Sequence, residues 1–195
     1  MPKLFKSITY SCVLFFVVGM SSAFANIKLA SPFCNHMVLQ HNTIVPVWGW
    51  SDAGETVTVK LGKQTKTIIA DADGKWLIKL GKIKAGGPYT LTVTGNNSIV
   101  INDVYAGEVW LCSGQSNMDM TVAREDRYWC GVFNEKEEVA NADYPLIRVF
   151  DTDFTPSASP LNDVKGNWEL VSPKTVGHLS AAAYFFARDL QKKIK

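Results

Sequence analysis

The sequence predicts a chain of two textures, all-β first and α/β afterwards. Three observations carry this reading. Up to about residue 104, short runs alternate apolar and polar residues and are separated by turn residues. At 108–112, "EVWLC" is apolar without alternation, and at 179–194 apolar residues recur at spacings of three and four. Period two marks a half-buried strand, a continuous apolar run suits a strand covered on both faces, and the longer spacing marks a helix.

The elements follow in order. "VPVWGW" (45–50), "TVTVKL" (56–61), "KWLIKL" (75–80), "YTLTVT" (89–94) and "SIVINDV" (98–104) read as strands among about seven expected in this half. In them Val57, Val59 and Leu61, then Trp76, Ile78 and Leu80, then Tyr89, Leu91 and Val93 each share a face. Asp73-Gly74 and Gly86-Gly87-Pro88 supply turn chemistry between the runs. One buried face, one wet face and tight turns predict a small antiparallel β-sandwich over 26–104. Trp48, Trp50 and Trp76 read as core aromatics, with stacking on sugars as the alternative.

From 105 to 195 the order reads strand, helix, strand, helix, the beginning of an α/β domain. The strands are 108–112 and "LIRVF" (146–150), and the acidic "EKEE" (135–138) is a solvated helix face. "TDFTPSASPLND" reads as loop. In the last helix Ser180 is a plausible N-cap, Leu179 and Tyr184 hold staple positions, and Leu179, Ala183, Phe186, Leu190 and Ile194 form the apolar stripe. Lys192, Lys193 and Lys195 suit its C-terminal dipole.

The first 25 residues stand apart. Lys3 and Lys6, the apolar "VLFFVVGM" and the small-x-small "AFA" describe a secretory signal peptide, too short in its apolar part to span a bilayer. The expected location is secreted or periplasmic. Neither Cys12 nor Cys34 follows the pattern that lipidation requires. The full chain has 20 Lys and Arg against 18 Asp and Glu; losing Lys3 and Lys6 leaves 18 of each. The formal charge of +2 therefore predicts no affinity for nucleic acid. Cys34, Cys112 and Cys130 remain, and Cys112 with Cys130 is open to pairing or to staying free. No His/Cys cluster has metal-ligand spacing, so neither metal nor other cofactor is expected. Asp151 and Asp153 read as solvated loop residues, and no signal addresses oligomeric state.

Gly114, Gln115, Ser116 and Asn117 follow the apolar run directly. A glycine at the end of a strand lets the chain turn sharply, and a serine opening the next segment can present both its hydroxyl and its backbone N–H. Position 118 is methionine, so the pattern is not the Gly-x-Ser-x-Gly nucleophile elbow. By spacing alone, Ser116 is either a nucleophile or a turn residue.

The block "VYAGEVWLCSGQSNMDM" resembles the first motif of the sialate O-acetylesterase family, within the SGNH-type (GDSL-like) hydrolases. "MVLQHNTIVPVWGW", "ADADGKW" and "AGGPYTLTV" upstream, and "ANADYPLIRVF", "WELVSP" and "LSAAAYFFARDL" downstream, resemble further family segments in order. The resemblance implies Ser116 as a nucleophile that removes O-acetyl groups from an acetylated sugar or glycan, its N–H also an oxyanion donor. Gly114, Gln115 and Asn117 support the motif. It also implies a catalytic Asp-x-x-His block, which does not occur in these 195 residues. The expectation is therefore a truncated SGNH-type hydrolase domain with little turnover of its own, since serine needs a base. His178 is the one histidine after Ser116 and does not match the family's base; His36 and His41 fall in the β half. The alternative reading is a non-catalytic secreted module whose β-sandwich binds carbohydrate or a partner.

Overall fold

The computed structural model describes residues 26–194, so the signal peptide expected at 1–25 lies outside the described residues. The first half holds eight strands: β1 (Lys28–Leu29), β2 (Val38–Gln40), β3 (Val45–Trp50), β4 (Thr56–Leu61), β5 (Gln64–Ile69), β6 (Lys75–Leu80), β7 (Gly86–Thr94) and β8 (Ser98–Gly107). They form a three-stranded sheet ordered β1-β3-β6 and a five-stranded sheet ordered β2-β8-β7-β4-β5.

The alternation read from the sequence fixes which side chains meet. Val45 and Val47 with Trp76, Ile78 and Leu80 come from one sheet; Val57, Val59, Leu61, Leu91 and Val93 come from the other. All are buried in one apolar cluster shared by the two sheets. Each fully covered side chain of this size contributes about 1.5–3 kcal/mol. Two local expectations change. Gly86-Gly87-Pro88 does not make a free turn but begins β7, where the pairing with β8 is irregular. β5 had no sequence signal, because this edge strand has almost no buried side chain.

β8 contains an extra residue. Tyr89 faces Val104 and Leu91 faces Ile101, so two steps on β7 match three on β8. The bulge keeps both Ile101 and Val104 in the core, and Asp103 takes a left-handed φ of 57°. The Asp103 carboxylate is turned toward His36, whose Nδ1 lies 2.6 Å from it, and toward Arg148 of the second half.

The second half has the smaller core. It comprises α1 (Ser116–Asp119), α2 (Glu135–Ala140), β9 (Tyr144–Thr152), β10 (Gly166–Val171), a 3-10 turn (Val176–His178) and α3 (Ala181–Lys193). Val122, Ile147, Val171, Val176, Leu179 and Tyr184 lie in its own core. Ser180 caps α3 as expected, its hydroxyl accepting from the Ala183 N–H. The buried face of α3 is rotated from the one expected: Ala181 and Tyr184 are covered, whereas Phe186 and Ile194 are exposed. Arg188 explains the rotation, since it lies over Tyr184 and Phe185 and pairs with Glu138 of α2.

Two expectations for this half are overturned. Residues 108–112 form no strand, and Leu111 is 95% exposed. A strand buried on both faces needs hydrogen-bonded neighbours, and among the described residues none pairs with this run. β9 is a strand as expected but pairs antiparallel with β10 rather than in a parallel sheet. The connection 153–165 carries no helix, and a parallel return usually requires one. Among the described residues, no helix is long and apolar enough to cross a membrane.

Arg148 of β9 joins the halves. Its guanidinium donates to the carbonyls of His36 and Asp103 and to the Asp103 carboxylate, and it lies 4.2 Å from the centre of the Tyr105 ring. Burial pushes the Asp103 carboxyl up, but the hydrogen bonds from His36 and Arg148, with their charges, outweigh this and hold it below the usual carboxylate range. A carboxyl with a lowered folded-state pKa stabilises fully above its unfolded value, and that stability is lost as pH falls through the folded value. Arg148→Met should cost on the order of 3 kcal/mol, because it strips a partly buried carboxylate of its partner. Asp103→Asn should be less stable than wild type near neutrality yet lose less on acidification. Urea unfolding at a series of pH values tests both; parallel acid curves for wild type and Asp103→Asn would count against this account.

Candidate active site around Ser116

The turn that carries Ser116 is built by short-range bonds. The carbonyl of Gln115 accepts from the N–H groups of Met118 and Asp119, and that of Ser116 from Met120. A Cβ on Gly114 would stand 3.1 Å from the Met118 Cβ, so glycine lets the chain fold this tightly. Ser116 opens α1, and Gly114, Gln115, Ser116 and Asn117 are all exposed. The N–H groups of Ser116 and Asn117 precede the first bond that α1 makes within itself, as at the start of any helix.

Tertiary contacts hold the turn from both sides. The Ser180 hydroxyl donates to Met118 Sδ at 3.4 Å, Thr121 bridges to Ser180, and the Ala181 N–H donates to the Met120 carbonyl. Arg127 pairs with Asp119 at 3.1 Å. Upstream, the Val109 N–H donates to Gln40 Oε1, and His41 Nε2 lies 2.7 Å from Glu108. The His41 hydrogen bond, then that of Gln40, lowers the Glu108 carboxyl against a smaller opposing effect of burial. Trp110 meets Phe186 edge-on at 5.2 Å.

The predicted site residues thus sit together in one turn. Among the described residues, however, no histidine or carboxylate is hydrogen-bonded to the Ser116 hydroxyl. His178 Nε2 is instead 2.8 Å from Glu169 Oε2. This imidazole–carboxylate pair joins β10 to the 3-10 turn, two residues before Ser180, and no sequence spacing announced it. His36 pairs with Asp103 inside the β half, and His41 pairs with Glu108 just after it. Asp151 and Asp153 are exposed and make no joint site. Cys34, Cys112 and Cys130 are free thiols, so the possible Cys112–Cys130 bridge is not formed. Among the described residues no group of three His, Cys, Asp or Glu side chains could hold a metal ion.

Comparison with known proteins gives consistent relatives. The sialate O-acetylesterase of Rattus norvegicus is 33% identical over 184 residues, covering 84% of this chain and 33% of that protein. The sialate O-acetylesterase of Mus musculus is 32% identical over 203 residues, covering 93% and 36%. Among solved structures, a carbohydrate acetylesterase from Xanthomonas citri matches with a TM-score of 0.81 at 32% identity, covering 87% of this chain and 38% of that one. The chain therefore spans about a third of the length of the curated relatives it matches. No protein-family model matches it.

Ser180 both caps α3 and steadies Met118. Ser180→Ala should cost about 1 kcal/mol and speed amide exchange in the first turn of α3. Unchanged exchange at Ala183 would show that the cap bond contributes nothing.

Proposed function

Because the chain belongs to the sialate O-acetylesterase family, we propose that it is part of an exported carbohydrate esterase that deacetylates sugars through Ser116. In this reading 26–104 is a small β-sandwich and 105–195 opens an SGNH-type hydrolase domain. The signal-like segment at 1–25 directs the protein to a secreted or periplasmic location.

The observation that carries the reading is the turn itself, which presents Ser116 exposed at the surface as the first residue of α1. Ser116 Oγ would attack the acetyl carbonyl carbon and give its proton to a base. The resulting oxyanion would be stabilised by the Ser116 N–H, since fixed donors at the site of developing charge lower the barrier. The C–O bond to the sugar then breaks, and the sugar hydroxyl leaves with that proton. Water attacks the acetyl-serine and releases acetate, restoring the hydroxyl. No cofactor takes part. Among the described residues no histidine or carboxylate is hydrogen-bonded to Ser116 to act as that base. An unassisted serine hydroxyl is a weak nucleophile at neutral pH, so residues 26–195 alone should turn over slowly.

Acetate release from an O-acetylated sugar by the intact gene product tests the assignment. Ser116→Ala should reduce kcat by a factor on the order of 10⁴ or more. A variant that keeps wild-type turnover would remove Ser116 from the mechanism.

A further inference from the structure

The outer face of the β1-β3-β6 sheet holds a second candidate site. Trp48 and Trp50 stand two positions apart on β3, on the face opposite Val45 and Val47. Both are half-buried and pack against the edge of the core, as the sequence reading expected in part, and each keeps some ring surface open. Across the ladder, Trp48 faces Leu77 and Trp50 faces Lys75. With Trp76 beneath them, these residues floor a shallow cleft that is largely open to solvent. Neither tryptophan is fully covered, and Leu77 is 46% exposed. Phe33 props the Trp48 ring edge-on at 4.7 Å, and Lys28 sits 5.5 Å from the centre of the Trp50 ring.

The rim is polar and comes from both halves of the chain. Lys75 offers donors at one edge. Asp71 uses Oδ1 to accept from the Asp73 and Lys75 N–H groups, which leaves Oδ2 as an acceptor. Asn162 arrives from the connection 153–165. That connection is pinned one residue on, where Asp163 accepts from the Ser31 N–H and hydroxyl at 2.9 and 3.0 Å. The cleft is thus assembled before any ligand enters, which reduces the ordering cost of binding.

The geometry points to a binding site for a pyranose ring of a glycan, separate from Ser116. A pyranose has a flat C–H face that matches an aromatic floor, and a fringe of hydroxyls that both donate and accept. Lys75, Asp71 and Asn162 supply that mixture. A wholly apolar ligand would desolvate the three without compensation, at a cost of unmade hydrogen bonds. A simple anion would meet the Asp71 carboxylate. The inference does not rest on the esterase reading.

Tryptophan emission and calorimetry on the full chain test it, with three probes: hexasaccharides of β-1,4-linked glucose and xylose, and sialyllactose. Saturable binding of any one is expected, and the arm that responds tells neutral from acidic sugars. Trp50→Ala should weaken binding about tenfold or more, as truncation of a central aromatic anchor does. Asn162→Ala, on an exposed loop that leaves the fold intact, should weaken it about threefold. Ser116→Ala should leave it unchanged. No saturable binding of any probe, equal affinity in the Trp50 and Asn162 variants, or loss of binding in Ser116→Ala would each overturn the site.

Discussion

One buried guanidinium ties this molecule together. The Arg148 side chain is only 3% exposed, yet it carries a full charge away from water. Such a charge is tolerable only where carbonyls and a carboxylate surround it. The β8 bulge supplies them: the left-handed Asp103 offers both its carbonyl and its carboxylate, and the His36 carbonyl lies beside it. Around this point the segment 31–37 is held against the second half. Trp168 donates to the Pro32 carbonyl at 2.9 Å, and Asp163 takes the two Ser31 donors. The joint combines the packing of Trp168 on the first core with directional polar bonds, and the bonds set orientation where apolar packing alone would permit sliding.

Much of the β half was legible because alternation records the environment of each side chain. Val57, Val59 and Leu61, or Trp76, Ile78 and Leu80, can be explained only by a strand with one face buried. β5 was not legible for the same reason reversed, since an edge strand with exposed side chains carries no pattern. The Asp103 bulge was hidden too, because the extra residue changes pairing between strands and not the composition of either. In α3, capping by Ser180 is a local property and could be read; the buried face was decided by Arg188 meeting Glu138, two residues far apart in the chain.

The candidate site divides along the same line. The turn at Gly114 to Asn117 is a matter of neighbouring residues, and the sequence alone identified it. Which side chains approach Ser116 from elsewhere is a matter of tertiary placement. The Glu169–His178 pair shows the difference: its members lie on separate elements, and nothing in either residue's surroundings announces the other.

Residues 108–112 remain the strongest conflict between composition and environment. The run reads as a strand covered on both faces, yet Trp110 is 59% exposed and Leu111 95%. Natural sequences tend to agree across such levels, and disagreements concentrate at functional places. Here the disagreement lies immediately before Gly114 and Ser116. Covering an exposed leucine gains about 1.5–3 kcal/mol, so leaving Leu111 open is a standing cost in a run that Gln40, His41 and Phe186 already hold in place.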